Sequence, residues 1–257
     1  MLPRTFVIAA SMTLVFILSA SAQEKLVGTY GEARTSLAFK IPDATAQSML
    51  PRGWLGSPFS AGPSKGANLV VTFMDWLVAL DPDGRPTNTF RHVGLTVPAK
   101  QNTKEETVAM VVTGLSAPPG YAPGPYGNFG AAKSRVVRTL RTDDDGFSTA
   151  EESWKFEGEN GDLVELELQF ARRATTRTKL EAKVYSAVKP EFYRLYRIEA
   201  AVHVVRSADR GTDRLQKYIF KGSGFAHFLT DRSSWSASHL FLGFRDRPFF
   251  RPRRIEP

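Results

Sequence analysis

Residues 68–80, NLVVTFMDWLVAL, are followed by the turn DPDGRP (81–86), RHVGLTVPAK (91–100), ETVAMVVTGL (106–115) and then APPGYAPGPYGNFGAAKSRVVR (117–138). Three apolar, β-branched runs separated by turn residues predict an antiparallel meander. The segment after them carries too much proline to continue a central sheet. It is expected as a rim loop, the kind of segment on which rigid sheets carry their sites.

Working outward, DPDG (81–84) places Pro82 where a turn wants a fixed φ and Gly84 where φ turns positive, and DDDG (143–146) repeats the device. The next hairpin, EESWKFEG-ENG-DLVELELQF (151–170), allows a test of register. A two-residue Asn-Gly loop pairs Phe156 with Glu165 and mixes the two faces. A three-residue loop, Glu159-Asn160-Gly161, pairs Phe156 with Val164, Trp154 with Leu166 and Lys155 with Glu165, and is therefore expected. Upstream, LVGTYGEARTSLAFK (26–40) reads as a strand, and IPDATAQSMLP (41–51) as a short helix capped by Asp43 and stopped by Pro51. RGWLGSPFSAGPSKGAN (52–68) reads as loop. Downstream, further strands are expected at 178–188, 195–207, 213–224 and 237–244, with PEFYRLYR (190–197) open to a single helical turn.

Residues 1–22 have the form of a signal peptide: Arg4, the apolar run FVIAASMTLVFILSA and the small-residue site Ala20-Ser21-Ala22. The expected organisation is a leader (1–22), one β domain (23–243) and a basic, aromatic tail (244–257), with export to the periplasm or medium. There is no cysteine, so no disulfide, thiolate metal site or cysteine nucleophile enters the argument. A formal charge of +8 favours anionic partners, although outside the tail the cations are interspersed with acids. Export argues against nucleic acid. Phe244, Arg245, Arg247, Phe249, Phe250, Arg251, Arg253 and Arg254 give the tail the chemistry of a membrane-surface contact.

The chain holds no G-x-S-x-G, H-E-x-x-H, P-loop or G-x-G-x-x-G motif. The contiguous acids of DDDG do not follow calcium-loop spacing. His92, His203, His227 and His239 lie far apart without ligand spacing, so no metal is expected. No cofactor is expected either.

Four segments resemble the acetoacetate decarboxylase family in order and spacing. PDATAQSMLP is similar to its opening helix, GLTVPAK to its strand ending in V-x-P-V, PGPYGNFGAAKSRVV to its aromatic-Pro-Lys-Lys segment, and SASHLFLGF to its closing strand. The resemblance implies an α+β, mainly antiparallel fold, a curved sheet closing towards a cone or open barrel with few short helices, and association into homo-oligomers. It also implies a lysine that forms a Schiff base with a keto acid and must be neutral to attack. Carried over, the family's aromatic falls on Phe129, its proline on Gly130, and its two lysines on Ala131 and Ala132. Its arginine falls on Lys40 and its glutamate on His92.

Lys133 serves as the amine only if Gly130 marks a bulge, because one step along a strand reverses the side chain's face. His92 is a candidate acid/base, its pKa expected to fall beside Arg91. Glu106 is a second group for protons. Lys40, Arg91, Phe129 and Tyr126 are the candidate binding residues for a small organic acid or ketone. Three readings stand at this point: a binding protein whose Schiff-base lysine is lost, a lyase using Lys133 and His92, and an envelope-surface protein acting through its tail.

Overall fold

The computed structural model describes residues 25–62, 64–118, 126–172, 174–205, 209–210, 213–222, 225 and 235–242. The expected signal peptide (1–22), the tail (244–257), His227 and residues 119–125 of the proline-rich loop lie outside them. In chain order the elements are β1 (Thr29–Phe39), α1 (Asp43–Ser48), β2 (Trp54–Gly56), β3 (Leu69–Leu80), β4 (Arg91–Gln101), β5 (Val108–Ala117) and β6 (Phe129–Thr142). There follow β7 (Ser148–Gly158), β8 (Leu163–Arg172), β9 (Thr176–Ser186), β10 (Tyr193–Val205), β11 (Asp209–Arg210), β12 (Asp213–Lys221) and β13 (Trp235–Leu242).

The meander forms as read: β3 pairs β4 and β4 pairs β5, both antiparallel. Both aspartate turns close around a glycine at positive φ, Gly84 at 81° and Gly146 at 82°. The β7–β8 hairpin takes the three-residue loop, with Phe156 opposite Val164, Trp154 opposite Leu166 and Lys155 opposite Glu165. Gly161 is at φ 80°, and Lys155 Nζ lies 3.7 Å from Glu165 Oε1. Matching apolar faces across the two strands leaves this the one register that buries both sets.

Three local expectations change. Residues 54–56, read as loop, form β2, a short edge strand on β4. The N-cap of α1 is Pro42, with no side-chain cap; Asp43 instead accepts from Asn68 Nδ2 at 2.8 Å and pairs with Lys40. Asn68 is buried and also exchanges two 2.8 Å hydrogen bonds with the backbone of Ile41, pinning the helix entry to β3. Residues 193–197 continue β10 and make no helical turn.

The thirteen-stranded sheet runs β11-β12-β8-β7-β6-β5-β9-β10-β13-β1-β3-β4-β2 and is open, with β11 and β2 at its ends. It is mainly antiparallel, but β5 runs parallel to both β6 and β9. Because β5 also pairs β4, seven strands return on themselves in the order β5-β9-β10-β13-β1-β3-β4. From this ring β6, β7, β8 and β12 depart as a second layer.

One face of the ring, with Leu37, Phe39, Val71, Phe73, Val93, Leu95 and Val97, packs against Trp154, Phe156, Val164, Leu166, Phe170 and Phe220 of that layer to form the main core. A ring of this size has interior room for side chains or one small ligand, so a packed second layer must lie outside it. The opposite face of β1, β3, β4 and β5 therefore turns inward.

Candidate ligand site

The registers set Arg34, Met74, His92, Ser116 and Ala131 side by side across β1, β3, β4, β5 and β6. Directly paired residues of adjacent strands share a face. The neighbouring row is Ser36, Thr72, Gly94, Gly114 and Phe129. The two glycines are there for space: a Cβ on Gly114 would stand 2.3 Å from Phe129 Cε1, and one on Gly94 3.4 Å from Phe129 Cζ. The Phe129 ring thus lies across both strands and meets His92 edge to face, centroids 5.7 Å apart at 89°. Gly114→Ala, which also brings Cβ to 2.6 Å from the Val93 carbonyl, is expected to cost about 1–3 kcal/mol. Chemical denaturation measures it, and an unchanged midpoint would show that the ring is not seated there.

An aromatic column continues from His92. Its ring lies 5.5 Å from Phe90; Phe90 packs on Trp76 at 3.9 Å, and Trp76 on Tyr30 at 3.8 Å. Glu32 stands opposite Trp76 and pairs with Arg34. Burial pushes the Glu32 carboxyl up; the Arg34 guanidinium and the Trp76 indole draw it part of the way back.

His92 is 2% exposed. Burial, and after it the Arg34 charge, lowers its pKa to about 3, so the imidazole is neutral at physiological pH. Its Nδ1 has no hydrogen-bond partner, and neither has Oγ of its cross-strand neighbour Ser116. Buried polar atoms are nearly always bonded, and leaving one unmet costs about 1–3 kcal/mol. Two orphans side by side on an enclosed face mark a place that a ligand's polar group would complete.

The residues expected from the sequence divide. His92, Phe129 and Ala131 come together on the inner face, and the His92 pKa falls as expected, but by burial and Arg34. Arg91 is one residue along the strand, hence on the outer face, where its Nε lies 2.9 Å from Asp75 Oδ1. Lys40 lies past the end of β1, half exposed and paired with Asp43, six residues from Arg34.

No bulge forms at Gly130: it pairs Leu115 in unbroken register, and Ala132 turns into the main core. Lys133 shares the strand face of Ala131 but is exposed and sits opposite Glu157. Tyr126 is buried at the seam of β5 and β9, its hydroxyl 3.3 Å from the Val184 carbonyl and 3.1 Å from the Tyr196 hydroxyl. Glu106 pairs with Lys183 at 2.9 Å on the rim of a cleft of about 290 Å³ lined also by Phe59, Pro98, Ala109 and Leu195. That cleft contains neither His92 nor an orphaned polar atom. No cluster of His, Asp or Glu able to hold a metal occurs among the described residues.

Arg34, Glu32, Ser116, Trp76 and Tyr30 were not singled out from the sequence. In GEARTSLAF (31–39) the polar Glu32, Arg34 and Ser36 alternate with Ala33, Thr35 and Leu37, the ordinary signature of a strand with one wet face.

No family model and no curated protein matches this sequence. The chain is similar to a solved structure of the enduracididine biosynthesis enzyme MppR complexed with pyruvate: 12% identity over 87% of this chain and 89% of that one, TM-score 0.47. It is also similar to an acetoacetate decarboxylase-like enzyme from Sphingomonas wittichii RW1, at 10% identity over 91% of this chain and 97% of the other, TM-score 0.38. At such values the likeness says nothing about chemistry.

Proposed function

We propose that the inner face of the ring binds a small organic acid or ketone, with His92 and Ser116 meeting its carbonyl or hydroxyl oxygen, and that no Schiff base forms there. The observation that carries this reading is the pair of unmet buried groups, His92 Nδ1 and Ser116 Oγ, beside the methyl of Ala131. A neutral imidazole offers one donor and one acceptor, and a hydroxyl offers both, so the two together suit an uncharged oxygen. A histidine whose pKa lies near 3 is poorly matched to proton transfer at neutral pH. Binding is therefore favoured over catalysis by this group. The leader-like segment at residues 1–22 supports an exported setting.

The test is borohydride trapping of the mature protein with acetoacetate or pyruvate, followed by mass spectrometry. The parent is expected to remain unmodified. Ala131→Lys, which introduces an amine on the inner face two residues from the Phe129 ring, is expected to gain an adduct, because an apolar, desolvated setting lowers a lysine's pKa. An adduct on Lys133 of the parent would overturn the reading and restore the lyase.

A further inference from the structure

Arg194 is the unusual cation of this fold. It is half-buried on β10, opposite Val184 and two residues before Tyr196, and among the described residues no carboxylate pairs with it. The Tyr126 hydroxyl approaches both the Val184 carbonyl, at 3.3 Å, and the Tyr196 hydroxyl, at 3.1 Å, so two phenols flank the guanidinium's side of the strand. Its charge reaches across to β1 as well, pulling against the burial that raises the Tyr30 and Tyr126 hydroxyls. Tyr30, which packs on Trp76, is thus within reach of the Arg194 charge.

The His92 end has no charge to spare. Arg34 is neutralised by Glu32, and His92 is neutral. The unpaired positive charge stands elsewhere, three strand spacings away along the ring through β9 and β5, each about 4.8 Å. Between the two ends lie aromatic walls: Tyr30, Trp76 and Phe90.

We propose that Arg194, with the hydroxyls of Tyr196 and Tyr126, receives the carboxylate of a ligand whose uncharged oxygen lies at His92 and Ser116. The ligand is then an acid with an extended aromatic or unsaturated body, longer than pyruvate or acetoacetate. This rests on the inner face being a ligand site, and specifies which acids it takes.

The experiment is isothermal titration calorimetry of the mature protein with trans-4-hydroxycinnamate (cinnamate below), whose phenolic oxygen is the uncharged one, its neutral amide (cinnamamide below), and pyruvate. Cinnamate is expected to bind more tightly than either. Arg194→Met is expected to weaken cinnamate about tenfold to a hundredfold, the worth of a charge-assisted hydrogen bond, while leaving cinnamamide unchanged. Arg194→Lys should recover part of the loss.

Because no carboxylate among the described residues pairs with Arg194, both variants should melt with the parent. Equal cinnamate affinity in the parent and Arg194→Met would overturn the Arg194 assignment alone. A parent that binds none of the three would remove the inner-face reading and this proposal together. Tighter binding of pyruvate than of cinnamate would overturn the extended body.

Discussion

Replacing Arg138 with methionine is expected to lower stability by about 3 kcal/mol, through the loss of the charge that joins the second layer to the ring. Arg138 Nη1 donates to Asp75 Oδ2 at 2.7 Å, its Nε lies 3.3 Å from Glu152 Oε1, and its guanidinium covers the Trp154 ring at 4.7 Å. The Asp75 and Glu152 side chains are only 6% and 2% exposed. Glu152 also accepts from Thr35 Oγ1 at 2.8 Å and Trp154 Nε1 at 3.0 Å, so β1, β3, β6 and β7 meet in one network.

Without Arg138, Glu152 keeps the Thr35 and Trp154 donors and Asp75 keeps the half-exposed Arg91, so the expected loss lies at the low end of about 3–5 kcal/mol for a broken buried pair. For a domain of this size about 3 kcal/mol corresponds to a drop in Tm of roughly 6–12 °C. A urea or thermal midpoint that moved by less than a third of this would show the network to be ornamental.

Stability is expected to fall steeply as the solution is acidified from about pH 6.5, with a slope approaching 1.4 kcal/mol per pH unit from His92 alone. The sign follows from protons bound. The folded imidazole stays neutral down to about pH 3, whereas the unfolded one takes up a proton near its model value of 6.5. Between these limits the unfolded chain holds the extra proton. The stabilisation is complete above the unfolded value and is lost as pH falls towards the folded one.

Glu32, on the same face, works in the opposite sense: its raised pKa means that the folded chain keeps a proton the unfolded chain gives up, so its burdened carboxylate is relieved on acidification. Arg34 is the charge that faces both. Comparison of the parent with His92→Gln isolates the histidine, since glutamine fills similar space without titrating. Parallel stability curves for the two proteins between pH 4 and 6.5 would show that His92 is not held neutral. Convergence of the curves at low pH is the expected result.

Most of the strand order within hairpins was legible in the sequence, for local physical reasons. Trp154 and Phe156 on one strand and Val164, Leu166 and Phe170 on the other admit a single register that buries both sets, and Gly161 supplies the positive φ which that register requires. The site was only partly legible. His92 was found by its place in a family-like segment, whereas Arg91, its neighbour in sequence, was assigned to the same pocket although alternate side chains of a strand face opposite ways. Lys40 was chosen as the cation where the structure brings Arg34 into the row.

The sequence by itself therefore determined the alternation of each strand, the turns between neighbours, the lack of any disulfide, and the absence of lysine at positions 131 and 132. Only the tertiary structure decided which polar face is enclosed. Glu32, Arg34 and Ser36, or Arg194 and Tyr196, have the pattern of residues facing water, and they would face water in an open sheet. Pairing of β5 with β4 on one side and β9 on the other joins strands far apart in the chain into a ring. That closure turns the wet face inward, and it leaves His92 neutral and Arg194 without a partner acid among the described residues, because long-range pairing, which no local pattern encodes, sets what each polar side chain meets.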